Sequence, residues 1–216
     1  YLARRVPIIQ VYGSTETAPI VIHQRIPDAW TTKGSTGRAA LHCDARIEDA
    51  SGKILGADER GEIVVRGPNI MSGYWNDPEA TEEVLKDGWF HTGDIGHIDD
   101  QGLFYVDDRV KDVIISGSEN IYPAELEMVL DRCDEIAESA VVGRADDKWG
   151  EVPVAVVVLG KGSKLTREGV LSLFNGELAR FKHPRDVIFS DVLPRNVMGK
   201  VLKFELRDMV SQRNSG

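Results

Sequence analysis

Short apolar runs broken by glycine, proline and aspartate fill the first half of the chain, while runs with helical spacing enter in the second half. Residues 6–11 form an apolar run that predicts a strand, stopped by a turn at Gly13. Between about residues 34 and 108, runs such as Glu62-Ile63-Val64-Val65-Arg66 and Leu103-Phe104-Tyr105-Val106 alternate with Ser51-Gly52, Gly67-Pro68 and Asp100-Gln101-Gly102. Closely spaced turns between short strands predict a small antiparallel β subdomain. Within it Asp77-Pro78 opens a helix, with Asp77 as the cap and Pro78 at the first helical position, where its missing N–H leaves no bond unmade.

The pattern changes after Lys111. Residues 123–133 read as a helix with Leu126, Val129 and Leu130 on one face. Residues 166–181 read as another, capped by Thr166, with Val170, Leu171, Phe174, Leu178 and Phe181 recurring at helical spacing. Residues 139–142, 152–159 and 187–189 read as strands, and residues 200–210 as a last helix. The expected fold class is α+β, with an antiparallel β subdomain in residues 1–110 and a small α+β domain over residues 111–216.

Composition narrows the function. The 216 residues carry a net charge of −9, which argues against a general nucleic-acid binder. The balance reverses near the C-terminus, where Arg180, Lys182, Arg185, Arg195, Lys200, Lys203, Arg207 and Arg213 outnumber Asp186, Asp191, Glu205 and Asp208, a local excess suited to phosphates. Cys43 and Cys133 stand far apart, with neither disulfide nor zinc-ligand spacing, which fits a reduced, cytoplasmic setting. No apolar run reaches membrane-spanning length, and a chain that opens on Tyr1 reads as a fragment of a longer protein.

Four short segments carry candidate chemistry. Tyr12-Gly13-Ser14-Thr15-Glu16 offers an aromatic face, a hydroxyl donor and a hard oxygen ligand on one turn; the plain alternative is a strand end with a solvated glutamate. Asp94, in Gly88-Trp89-Phe90-His91-Thr92-Gly93-Asp94, offers two acceptor oxygens, and Arg109 a planar fork of donors; a turn cap and a surface ion pair are the alternatives. In Arg195-Asn196-Val197-Met198-Gly199-Lys200, a primary amine follows a glycine, a presentation suited to a developing negative charge, although an ordinary solvated lysine reads the same way.

Taken in order, YGSTE, GWFHTGD, DRVKD with SGSENIYPAELE, and PRNVMGK resemble the adenylate-forming superfamily of acyl-CoA synthetases, luciferases and peptide-synthetase adenylation domains. The resemblance covers essentially the whole chain. It implies a carboxylate activated by ATP with magnesium to an acyl-adenylate, then passed to CoA, with a fatty or other apolar acid as the expected substrate. It implies that Tyr12 stacks on the adenine, that Gly13 belongs to the same nucleotide site, that Thr15 reaches the α-phosphate, Glu16 magnesium and Asp94 the ribose, that Arg109 closes on the ribose or on a phosphate, and that Lys200 is catalytic. It further implies a hinge at Lys111 between a large domain and a mobile C-terminal lid, and CoA contacts at Gly117, Trp149, Lys182 and Arg185.

The family's phosphate-cradling loop lies upstream of YGSTE and is absent, so an upstream domain is the expected partner, a homodimer is possible, and the chain alone is expected to be inactive. Two alternatives stay open: an adenylating enzyme with an acceptor other than CoA, and a non-catalytic nucleotide- or partner-binding module.

Overall fold

The computed structural model describes residues 6–212, so Arg213 of the basic run lies outside the described residues. The chain divides into two compact units, Tyr1–Val110 and Lys111–Gly216.

The first unit holds two antiparallel sheets. Strands β1 (Val11–Tyr12), β2 (Ile22–His23) and β3 (Arg38–Ala39) form a three-stranded sheet in that order, with helix α1 (Ile26–Thr31) between β2 and β3. The second sheet contains β4 (Asp44–Glu48), β5 (Gly61–Arg66), β6 (Leu85–Lys86), β7 (Trp89–Ile98) and β8 (Phe104–Arg109), with α2 (Pro78–Val84) leading into β6. Its order is β4-β5-β7-β6, and β8 also pairs with β7. Ile47, Ile63, Val65, Phe90 and Phe104 pack with Val21 and Ile22 into one buried cluster. Cap and proline act on α2 as expected: Asp77 Oδ1 accepts from the Ala80 N–H at 3.1 Å. The strand expected over residues 6–11 is a correction. It begins only at Val11: the Gln10 carbonyl still accepts from the Gln24 N–H at 2.9 Å, but the Gln10 N–H turns to the Gln24 side-chain oxygen at 3.0 Å, so the paired ladder starts one residue later.

In the second unit, β9 (Ile114–Ser116), β10 (Glu119–Ile121), β11 (Ile136–Asp146), β12 (Gly150–Leu159) and β13 (Asp186–Phe189) form one sheet. The order is β10-β9-β12-β11, with β13 running parallel to β12. Three helices cover it: α3 (Pro123–Leu130), α4 (Arg167–Ser172) and α5 (Lys203–Gln212). Strand β12 is buried on both faces, which explains its unbroken apolar run. Ala155 and Val157 pack with Leu126, Leu130, Val170 and Phe174 on one side. Val154 and Val156 pack with Leu206 and Val210 on the other.

Three helix boundaries differ from expectation. The first helix stops at Leu130 rather than at residue 133. Helix α4 ends at Ser172 instead of continuing to residue 181: Gly176 adopts φ +82°, a left-handed conformation that closes the helical path, and a short 3-10 turn at Arg180–Lys182 follows. Phe174 is nonetheless fully buried, whereas Phe181 is exposed. The last helix starts at Lys203, so Lys200 lies before it on a turn.

Candidate functional site

A bulge in β7 builds the first site. Pairing with β5 shifts register between Glu62 and Val64, which face Ile95 and His91, so Thr92, Gly93 and Asp94 leave the regular ladder. Their backbone groups find side-chain partners. The Gly93 N–H donates to Glu62 Oε1 at 2.9 Å, and the Asp94 N–H to Thr92 Oγ1 at 3.1 Å. Thr92 Oγ1 in turn donates to the Ile63 carbonyl at 2.7 Å. Asp94 stands directly opposite Arg109 on β8, and Arg109 Nε lies 2.6 Å from Asp94 Oδ1.

The other carboxylate oxygen is also taken. Tyr12, from the three-stranded sheet, donates its hydroxyl to Asp94 Oδ2 at 2.7 Å. Burial, and then the Asp94 charge, push the Tyr12 phenol far above its ordinary value, so it stays protonated and remains a donor. Gly13 has no room for a side chain, because a Cβ there would lie 1.6 Å from the Pro19 carbonyl oxygen. That close approach folds the next residues into the 3-10 turn Thr15–Thr17.

Glu16 on this turn accepts from the Tyr74 hydroxyl at 3.0 Å. The Ser14 hydroxyl, followed by a backbone N–H and Tyr74, holds the Glu16 carboxyl below the usual value. A cavity of about 300 Å³ is lined by Tyr12, Gly13, Glu16, Asp94 and Arg109, all expected from sequence, and also by Tyr74, Phe90 and His91. Thr15 is exposed and is not among the lining residues; Thr17 lines the cavity instead, its buried hydroxyl accepting from the Ser14 N–H at 2.8 Å. Tyr74 carried no local signal, since its role depends on a partner 58 positions away.

The second unit presents two further groups. Lys200 is exposed on a turn fixed by Asn196, whose Oδ1 accepts from the N–H groups of Met198 and Lys200, each at 3.0 Å. Among the described residues, no hydrogen bond or ion pair engages the Lys200 Nζ. Gly117 closes the β9–β10 hairpin at φ +67° and donates its N–H to the Trp149 carbonyl at 2.6 Å. A Cβ on Gly117 would sit 3.4 Å from the Trp149 ring, so the two expected CoA-contact residues adjoin.

Lys182 and Arg185 do not form a pair of free cations. Lys182 Nζ lies 2.5 Å from Glu125 Oε2, largely shielded from solvent, whereas Arg185 is exposed. Lys111, expected at the hinge, opens the second unit.

Residues 1–75 match the AMP-binding enzyme family, and residues 125–200 match the AMP-binding enzyme C-terminal domain. An indoleacetate–CoA ligase of Aromatoleum aromaticum is 52% identical over 97% of this chain and 41% of its own length. A 2-succinylbenzoate–CoA ligase of Bacillus cereus is 45% identical over 96% of this chain and 42% of its own length. The o-succinylbenzoate CoA synthetase of Bacillus subtilis, solved with ATP and magnesium ion, superposes with a TM-score of 0.86 at 38% identity, covering 96% of this chain and 42% of that one. The chain thus spans about two fifths of the length of these relatives. Two family matches in sequence order, together with relatives aligned over nearly every residue, lead to one assignment: the chain belongs to the adenylate-forming superfamily of AMP-binding enzymes.

Proposed function

We propose that the chain is the C-terminal part of an ATP-dependent acid–CoA ligase, residues 1–110 completing a nucleotide site and residues 111–216 acting as its mobile lid. The observation that carries this reading is the convergence of Tyr12, Glu16, Asp94 and Arg109 on one cavity, from segments as much as 82 positions apart in a single hydrogen bond. An ionised carboxylate held between two donors is suited to a ribose diol, which would exchange with one of them. Arg109, with its side chain nearly half exposed, is the donor free to yield.

Magnesium fits the donor set. Among the described residues, no cluster of three His, Cys, Asp or Glu side chains could hold a metal by itself, and the ion takes one or two carboxylates and completes its shell with phosphate oxygens and water. Glu16, kept ionised, is the residue to supply the protein ligand. Bound there, the ion would neutralise phosphate charge.

The chemistry follows in two steps. A carboxylate oxygen of the acid attacks the α-phosphorus, pyrophosphate leaves, and the Lys200 ammonium offsets the charge gathered between the two anions. In the second step the CoA sulfur attacks the acyl carbon and AMP leaves. Gly117 and Trp149 would line the thiol's approach, where the missing glycine side chain leaves room beside the backbone. Arg185, exposed, is the better candidate for a CoA phosphate; Lys182 is already committed to Glu125.

The acid is aromatic in this reading. The relatives are named for indoleacetate and 2-succinylbenzoate, which favours an aryl-bearing carboxylate over the fatty acid expected from sequence. The test is AMP release by the full-length protein with ATP, magnesium and CoA, over aromatic and fatty acids. Release that depends on CoA and is fastest with an aromatic acid is expected. Absence of both AMP release and pyrophosphate exchange with every acid would overturn the reading.

A further inference from the structure

The two units meet in sequence at Val110 and Lys111, so any change in their mutual orientation must be taken up by backbone bonds near that point. One side chain limits which bonds are available. Arg207, on α5, donates through Nη2 to the Lys111 carbonyl at 3.0 Å and to Asp112 Oδ1 at 2.6 Å. Both acceptors lie more than 90 positions away in sequence, at the start of the same unit. The Asp112 side chain is largely covered and that of Arg207 is about 30% exposed, so the pair is partly sheltered from solvent.

Helix α5 is itself well anchored. Leu206 and Val210 are buried against the sheet, and Lys203 Nζ reaches Glu127 Oε1 on α3 at 2.8 Å. Arg207 therefore ties the first peptide of the second unit to a rigid body. Fixing the Lys111 carbonyl and the Asp112 carboxylate holds the Asp112 backbone with them. Within the short 3-10 turn Val110–Asp112, the bonds that the latch leaves unheld are those that precede that carbonyl, principally φ and ψ of Lys111 and the backbone of Val110.

We infer that Arg207 is a positioning residue that confines the pivot between the two units to the bonds before the Lys111 carbonyl. It turns a potentially diffuse linker into a discrete joint. The inference rests on the proposed two-step function only where the joint is given a catalytic purpose; the latch itself stands on geometry within the second unit.

The latch gives a readout that needs no activity. Trypsin cleaves after Lys111, and a protease must draw several residues around its scissile bond into extended form, which the latch opposes. Arg207→Ala is expected to accelerate tryptic cleavage at Lys111-Asp112 about ten-fold, measured well below the variant's own melting temperature and with the products identified by mass spectrometry. Should Arg207→Ala fold poorly, Arg207→Gln keeps much of the side chain's bulk, removes the charge and leaves the residues around the scissile bond unaltered, and is expected to act in the same way. In the full-length protein, Arg207→Ala is expected to slow thioester formation from preformed acyl-adenylate at least ten-fold more than it slows adenylate formation, and Arg207→Lys, which keeps the charge but lacks the fork, to recover part of the loss.

An unchanged cleavage rate at Lys111 in both variants would overturn the latch. Faster cleavage with both half-reactions at wild-type rates would overturn the positioning role and leave the proposed function standing. If the wild-type full-length protein supports neither half-reaction, the functional reading fails, while the protease result still decides the latch.

Discussion

The Tyr12 hydroxyl donates to Asp94 Oδ2 at 2.7 Å, joining the three-stranded sheet to the bulge of β7. Tyr12→Phe keeps the ring and removes the donor. Asp94 then keeps Arg109 on one oxygen and loses its partner on the other. Hydrogen bonds to charged groups contribute about 1.5–3 kcal/mol, so a loss of that size is expected in urea denaturation of the chain. In the full-length protein the KM for ATP is expected to rise as well, because the carboxylate is less firmly aimed. A variant as stable as the parent would show that the bond contributes nothing net.

Gly117→Ala tests the hairpin beside Trp149. Gly117 sits at φ +67°, where an alanine costs roughly 1–2 kcal/mol, and its new Cβ would fill the space beside the indole, in van der Waals contact at 3.4 Å. Thioester formation is expected to slow by ten-fold or more while pyrophosphate exchange stays within about two-fold of the parent. Equal losses in both half-reactions would point to general misfolding instead.

Lys182 and Arg185 should separate cleanly. Lys182→Met removes the cation from Glu125 and with it a charged hydrogen bond, with a stability loss of about 1.5–3 kcal/mol expected and little change in the KM for CoA. Arg185→Ala removes an exposed cation and is expected to raise that KM several-fold without loss of stability. Steady-state kinetics beside thermal melts of the two variants would check the division, and the reverse pattern would contradict it.

Strand and helix faces were legible in the sequence wherever local periodicity and packing agree. Leu126, Val129 and Leu130 are buried as their spacing predicts, and Asp77 caps α2 as its neighbour Pro78 announces. Helix α4 was overextended because Val170, Phe174 and Leu178 keep helical spacing through a chain that leaves the helix after Ser172 and turns over at Gly176. Burial there is achieved by successive turns instead of a continuous helix. The motif residues Tyr12, Glu16, Asp94 and Arg109 were visible, yet what links them was not. The bulge that frees Asp94 depends on Glu62 from another strand, and Glu16 is held by Tyr74 from a loop before α2. Such pairings are long-range, and no local pattern encodes them. The Lys182–Glu125 bond is hidden for the same reason.

Acid pH offers a check on β13. Burial works against the Asp186 charge, but hydrogen bonds from Arg167 and Arg144, at 2.9 and 3.0 Å, outweigh it and hold the carboxyl below its ordinary value. A carboxyl depressed on folding stabilises the protein fully above its unfolded value, about 3.9, and that contribution is lost as pH falls through the folded value. Asp186→Asn is therefore expected to melt below the parent at pH 7, with the gap closing as the pH drops below about 4. Melting curves over that range would reveal it; a gap that stays constant would show that the ion pairs are not the cause.

Lys200 carries the sharpest chemical expectation. Its backbone is held on a turn by Asn196 and by Gly199 at φ +82°, while its side chain is exposed, so removing the side chain should leave stability untouched. Loss of one donor aimed at developing charge costs about a hundred- to a thousand-fold in rate. Lys200→Ala in the full-length protein is expected to lose acyl-adenylate formation on that scale, measured by pyrophosphate exchange, and to keep thioester formation from supplied acyl-adenylate within a few-fold. Lys200→Arg should recover little, because a planar guanidinium cannot replace a compact ammonium between two crowded anions. Loss of both half-reactions together would mean that the amine binds the adenylate generally; retention of both would remove it from the chemistry.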